Sequence, residues 1–218
     1  MSYSRDERAA LCTLLEETGP DAPTLCTGWT TGDLAAHLVL RERRPLAAAG
    51  VLGGPLARHT ARVQRKITGQ NTFPALISAI RSGPPKLSPM AFPGMDERAN
   101  LVEYFVHHED VRRAVPGWEP RELTADESDE LWRRLRMARM LLRKSPVGVE
   151  LARDDKDPDG SDGQIFRITA KKATPTVTVI GPPSELTMWA LGRTVAANVR
   201  FDGTQAAMNR LATASWHL

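Results

Sequence analysis

Cysteine is scarce: Cys12 and Cys26 are the two thiols among 218 residues. So few thiols exclude a disulfide-stapled secreted scaffold and fit a reducing, cytoplasmic setting, where each reads as a small apolar packing group rather than a nucleophile. No secretory apolar region opens the chain, and no apolar run is long enough to cross a bilayer. No segment repeats another. These absences lead us to expect a cytoplasmic protein with no membrane partner. A large charge excess is missing too: the formal net charge is +3, and Lys and Arg alternate with Asp and Glu nearly throughout. Nucleic acid is therefore not an expected partner. The local exceptions are Arg41, Arg43 and Arg44, then Arg58, Arg62, Arg65 and Lys66. Each group reads as a solvated helix face, with an anion-binding rim as the alternative.

What is present is ordinary globular material, 41% hydrophobic and 25% charged, long enough for one large domain or two small ones. Ser4 to Thr18 predicts a helix with Ser4 as its cap, ended by Gly19-Pro20. A turn-rich stretch leads to Thr30 or Thr31, capping a second helix to about Ala49. Gly and Pro punctuate residues 50 to 69, which predicts an irregular connection with a short helix at 61 to 67. Phe73 to Arg81 reads as a helix, Lys86 to Gly94 as proline-rich loop, and Asp96 to about Ala114 as a further helix. Thr124 and Glu127 form a capping-box start for a helix to about Lys144. Beyond Ser145-Pro146 the texture changes. VGVELAR, QIFRITA and TVTVI read as strands, the first two joined across DDKDPDGSDG, followed by two short helices around the strand NVRFDG. That acidic segment lacks the terminal Glu and flanking helices of a calcium loop, so it reads as a solvated hairpin turn. The pattern predicts four substantial helices over residues 1–145 and a small α+β domain over 146–218.

The candidate chemistry sits in NLVEYFVHHEDVRR, Asn100 to Arg113. Glu103, His107 and Asp110 are four and three residues apart, which puts them on one stripe of a helix. A carboxylate and an imidazole one turn apart can share a divalent cation. A third ligand must come from elsewhere, and His37 is the best placed histidine, since His59 follows a Gly/Pro stretch and His217 is penultimate. Taken alone, His37 among leucines also reads as a buried, hydrogen-bonded core residue. With the Glu103/His107 stripe, the expected centre is His37, Glu103 and His107, with positions left for water or substrate. The donor set suits zinc, with nickel or iron(II) as alternatives.

These residues carry a family likeness. LCTGWTTGDLAAHL, Leu25 to Leu38, resembles the Trp-x-x-x-Asp-Leu-x-x-His-Leu signature of the mycothiol-dependent maleylpyruvate isomerase family, part of the DinB-like metal-binding superfamily. Glu103-x-x-x-His107-x-x-Asp110 resembles its second metal motif, and ELTMWALGR with VRFDG resembles the sterol-carrier-like domain that often follows. The resemblance implies an N-terminal DinB-like four-helix bundle and a small sterol-carrier-like α+β C-terminal domain. It implies a divalent metal, usually zinc, on His37, Glu103 and His107, and mycothiol as cofactor or co-substrate. Asp110 matches the motif as a residue that either orients His107 or takes a metal position. Arg193, in the matching Gly-Arg, is the candidate contact for a substrate carboxylate. Trp29 and Asp33 match as well, and read as a core anchor and a helix N-terminal charge.

The function expected is a metal-dependent, thiol-using isomerase or transferase acting on an electrophilic small molecule, as monomer or homodimer. A metal-dependent hydrolase and a non-enzymatic metal-binding bundle are the alternatives.

Overall fold

The computed structural model describes residues 2–43, 57–85, 95–154 and 166–214. Two compact units divide the chain, Met1–Glu119 and Pro120–Leu218. The first is helical, with α1 at Tyr3–Thr18, α2 at Thr31–Arg43, α3 at Ala57–Gln70, α4 at Phe73–Arg81 and α5 at Met95–Arg112. Its core interleaves Leu11, Cys12 and Leu15 of α1, Leu34 and Leu38 of α2, Leu76, Ile77 and Ile80 of α4, and Tyr104 and Val111 of α5. Within each helix these residues recur at intervals of one, three, four or seven, so one stripe of each helix points inward.

α5 packs chiefly against α1. It buries Asn100, His107, His108, Glu109 and Asp110, and Arg113 just past its end is buried as well, a load that water would normally claim. Pairing offsets the desolvation. His108 Nδ1 meets Glu7 Oε2 of α1 at 2.8 Å, and Glu109 takes Arg112 at 2.8 Å and Arg113. The Arg113 guanidinium also stacks 4.5 Å from the centre of the Trp118 ring.

The second unit contains α6 (Ala125–Arg134), α7 (Ala138–Leu141), β1 (Gly148–Arg153), β2 (Arg167–Lys171), β3 (Thr176–Gly181), α8 (Pro183–Ala190), β4 (Arg200–Asp202) and α9 (Gln205–Ala212). Its sheet has the order β2-β1-β3-β4. β1 runs antiparallel to β2 and parallel to β3, and β4 closes the edge antiparallel to β3. Parallel register sets Val149 beside Val177 and Leu151 beside Val179. With Ile168 and Ala170 these alternate residues face one core with Leu186, Trp189 and Leu211 of the helices. Gly148 permits the tightest approach: a Cβ there would lie 2.1 Å from the Ala173 carbonyl oxygen.

Several expectations change in detail. Ser4 lies inside the first turn and Ser2 holds the cap position. Residues 57 to 70, expected to be largely irregular, form the continuous helix α3. The helix from Thr124 is α6, α7 and two 3₁₀ turns at Leu135–Met137 and Leu142–Lys144, and its apolar stripe of Leu135, Ala138 and Leu142 joins the sheet's core. The end of the second helix beyond Arg43, the proline loop 86–94, the acidic segment from residue 155 and His217 lie outside the described residues.

Candidate metal centre

Position 37 is set by the start of α2. Thr30 and Asp33 cap reciprocally: the Asp33 N–H donates to Thr30 Oγ1 at 3.3 Å and the Thr30 N–H to Asp33 Oδ2 at 3.2 Å. His37 follows one turn later, buried, with the Trp29 ring tilted 5.0 Å away, centre to centre.

Two imidazoles converge on one carboxylate oxygen. His37 Nε2 lies 3.2 Å and His107 Nε2 3.3 Å from Glu103 Oε1. All three donor atoms fall within 4.8 Å of one another. The Arg41 Nε approaches the same oxygen at 3.3 Å. His107 is held from its other side, where Nδ1 donates to Asp110 Oδ2 at 2.9 Å. Cys26 donates its S–H to that same Oδ2 at 3.2 Å.

Burial and charge oppose one another here. Burial pushes the His37 pKa down, and this outweighs the pull of Glu103. A neutral ring at neutral pH follows. Burial pushes Glu103 up, yet His107, His37 and Arg41 outweigh it and hold the carboxyl well below the usual range. Burial works against protonation of His107, while Asp110, Cys26 and Glu103 hold its pKa well above the usual value. A neutral imidazole carries one N–H, so a ring facing a carboxylate at each nitrogen is the protonated form.

The donor set fits a divalent cation. Bonds of about 2.0–2.1 Å in a tetrahedron imply ligand atoms about 3.3 Å apart, and the two imidazole-to-carboxylate separations are 3.2 and 3.3 Å. Asp110 supplies the second hydrogen-bond shell that fixes a ligating imidazole.

Of the remaining candidates, His59 is exposed on α3. Arg193 lies in the second unit, half-buried just after α8, and donates to the Leu191 carbonyl at 2.7 Å. Sequence spacing alone did not single out the roles of Arg41 and Cys26. Arg41 shares the inward stripe of α2 one turn past His37, a signal present in the chain. Cys26 meets Asp110 across 84 positions, and no local pattern announces that.

Fold and site together define a mixed protein, a helical unit holding a His–Glu–His cluster with both imidazoles buried and the carboxylate half-buried, followed by a four-stranded α+β unit. Residues 3–85 match the mycothiol maleylpyruvate isomerase N-terminal domain. The match contains His37 and ends before α5. Two solved structures are similar: the mycothiol-dependent maleylpyruvate isomerase and a histidine-to-alanine mutant of it. Each has a TM-score of 0.51 at 17% identity, covering 92% of this chain and 90% of theirs. At that identity the likeness establishes the fold. No curated protein matches the sequence.

Proposed function

We propose that the chain is a metal-dependent, thiol-using isomerase, with mycothiol or a related low-molecular-weight thiol as co-substrate. In this reading the first unit is a DinB-like helical bundle, in which α3 or α4 is added to the four expected helices, and the sheet-bearing unit is the sterol-carrier-like domain. The observation that carries it is the convergence of His37 Nε2, Glu103 Oε1 and His107 Nε2 at the spacing of metal ligands. The family supplies the thiol.

His37, Glu103 and His107 would hold the cation. When bound, it supplies positive charge that lowers the pKa of an incoming thiol. Asp110 keeps the His107 proton on Nδ1, leaving Nε2 directed at Glu103. Arg41 places a second cation beside the site, suited to an anionic substrate. The substrate class is a cis-alkene conjugated to a carbonyl. The thiolate adds to one alkene carbon, and the π electrons move onto the carbonyl oxygen. The chain of atoms rotates about the new single bond. The C–S bond then breaks, the electrons return to form the trans-alkene, and the thiolate leaves unchanged. No protein nucleophile takes part, which suits a chain whose Cys12 is buried.

Elemental analysis of the wild type beside His37→Ala and His107→Ala tests the reading. Near-stoichiometric zinc, nickel or iron is expected in the wild type and loss in both variants. The cobalt-substituted protein should gain a sulfur-to-cobalt charge-transfer band on adding thiol. A wild type without metal overturns the proposal, and turnover of an ester or amide without thiol moves it to the hydrolase class.

A further inference from the structure

We infer that Cys26 is a positioning residue for this centre, acting through Asp110 to set the direction of His107. The inference rests on the reading just given. Asp110 is fully buried, so its carboxylate needs donors from the protein. His107 Nδ1 at 2.9 Å and Cys26 Sγ at 3.2 Å both donate to its Oδ2. Holding that oxygen from the thiol side fixes the point about which the imidazole turns, and so where its Nε2 lies relative to Glu103.

The loop before α2 gives the thiol a fixed place. The Leu25 N–H donates to the Asp110 carbonyl at 2.9 Å, and the Trp29 N–H donates to the Cys26 carbonyl at 2.9 Å. The Cys26 N–H donates to Thr24 Oγ1 at 3.2 Å, and that hydroxyl donates to the Trp29 carbonyl at 3.0 Å. One loop thereby touches both imidazoles, His107 through Cys26 and Asp110, and His37 through the Trp29 ring 5.0 Å away.

A rival geometry exists, because Cys26, His107 and Asp110 also offer donor atoms within 4.8 Å of one another. A cation there would need a thiolate and a bare His107 Nδ1, removing both hydrogen bonds just described. It would also leave His37 and Glu103 without a role.

Zinc affinity of the full chain, measured by competition with a chromophoric chelator, separates these cases. Cys26→Ala should bind about tenfold or more weakly. Cys26→Ser, whose hydroxyl still donates to the carboxylate, should stay within about threefold of wild type. Cys26→Val, similar in volume and without a donor, repeats the measurement should the alanine variant fail to fold. Cobalt-loaded wild type without added thiol should show no sulfur-to-cobalt band. Wild-type affinity in both Cys26→Ala and Cys26→Val overturns the inference and leaves the metal reading standing. Equal loss in the serine and alanine variants, with a cobalt–sulfur band that disappears in both, makes Cys26 a ligand and also overturns it. A wild type that takes up no metal removes the underlying reading and this one together.

Discussion

His107 is flanked by carboxylates at both ring nitrogens, Asp110 at 2.9 Å and Glu103 at 3.3 Å. In the metal-free protein they hold it protonated well above the usual histidine range. A cation at Nε2 must displace that proton, whereas His37, with its pKa lowered chiefly by burial, is already neutral near pH 7. Metal binding at pH 7 should therefore release a proton, and affinity should rise with pH until the His107 proton is lost unaided. Calorimetry in buffers of different ionisation enthalpy reads this directly, and binding heats independent of the buffer would contradict it. Asp110→Asn should weaken metal binding about 10–100-fold, measured by the same chelator competition. Cys12 makes a separate claim. Burial raises its thiol from 9.0 to about 11, so the folded state favours the protonated form. Its contribution is intact below about pH 9 and is lost as pH rises through about 11, amounting to about 2–3 kcal/mol. Urea unfolding of the wild type should fall over that interval more steeply than that of Cys12→Ala. Parallel slopes would show that the thiol is not the source.

At the scale of elements, α5 carries the site and was the most legible stretch of the chain. Its spacing, Glu103 to His107 to Asp110, places three side chains on one stripe whatever the rest does, because 3.6-residue periodicity is local. The helix α3 was less legible for an equally physical reason. Its two buried residues are the polar Thr60 and Gln64, so no run of core leucines marks it, and the Gly/Pro-rich stretch before it reads as loop. The helix after Thr124 displayed its apolar stripe, but a stripe names no partner, and Leu135, Ala138 and Leu142 face the sheet. The strands were readable from alternation, while their order was not, since a parallel β1–β3 pair depends on contacts distant in sequence. Gly148 tests that packing. With a Cβ 2.1 Å from the Ala173 carbonyl, Gly148→Ala should cost about 1–3 kcal/mol, read as a lowered denaturation midpoint. An unchanged midpoint would mean that the 173–176 turn yields more easily than its backbone contacts imply.

For the molecule as a whole, the fold agrees with the structures it resembles over most of both chains. Among the described residues, no helix is long and apolar enough to cross a membrane. The candidate centre assembles from α2 and α5, 66 positions apart at His37 and Glu103, and choosing His37 from sequence depended on its helical run and on the Glu103/His107 stripe. Cys26 escaped because a lone hydrogen bond across the fold leaves no periodic trace. The central claim is that two imidazoles and one carboxylate share a cation that also accepts a thiol. X-ray absorption spectroscopy of the zinc-loaded chain tests it most directly. The expected first shell is nitrogen and oxygen at about 2.0–2.1 Å with imidazole scattering, and a sulfur at about 2.3 Å that enters only when thiol is added. A shell without imidazole, or one unchanged by thiol, would contradict it.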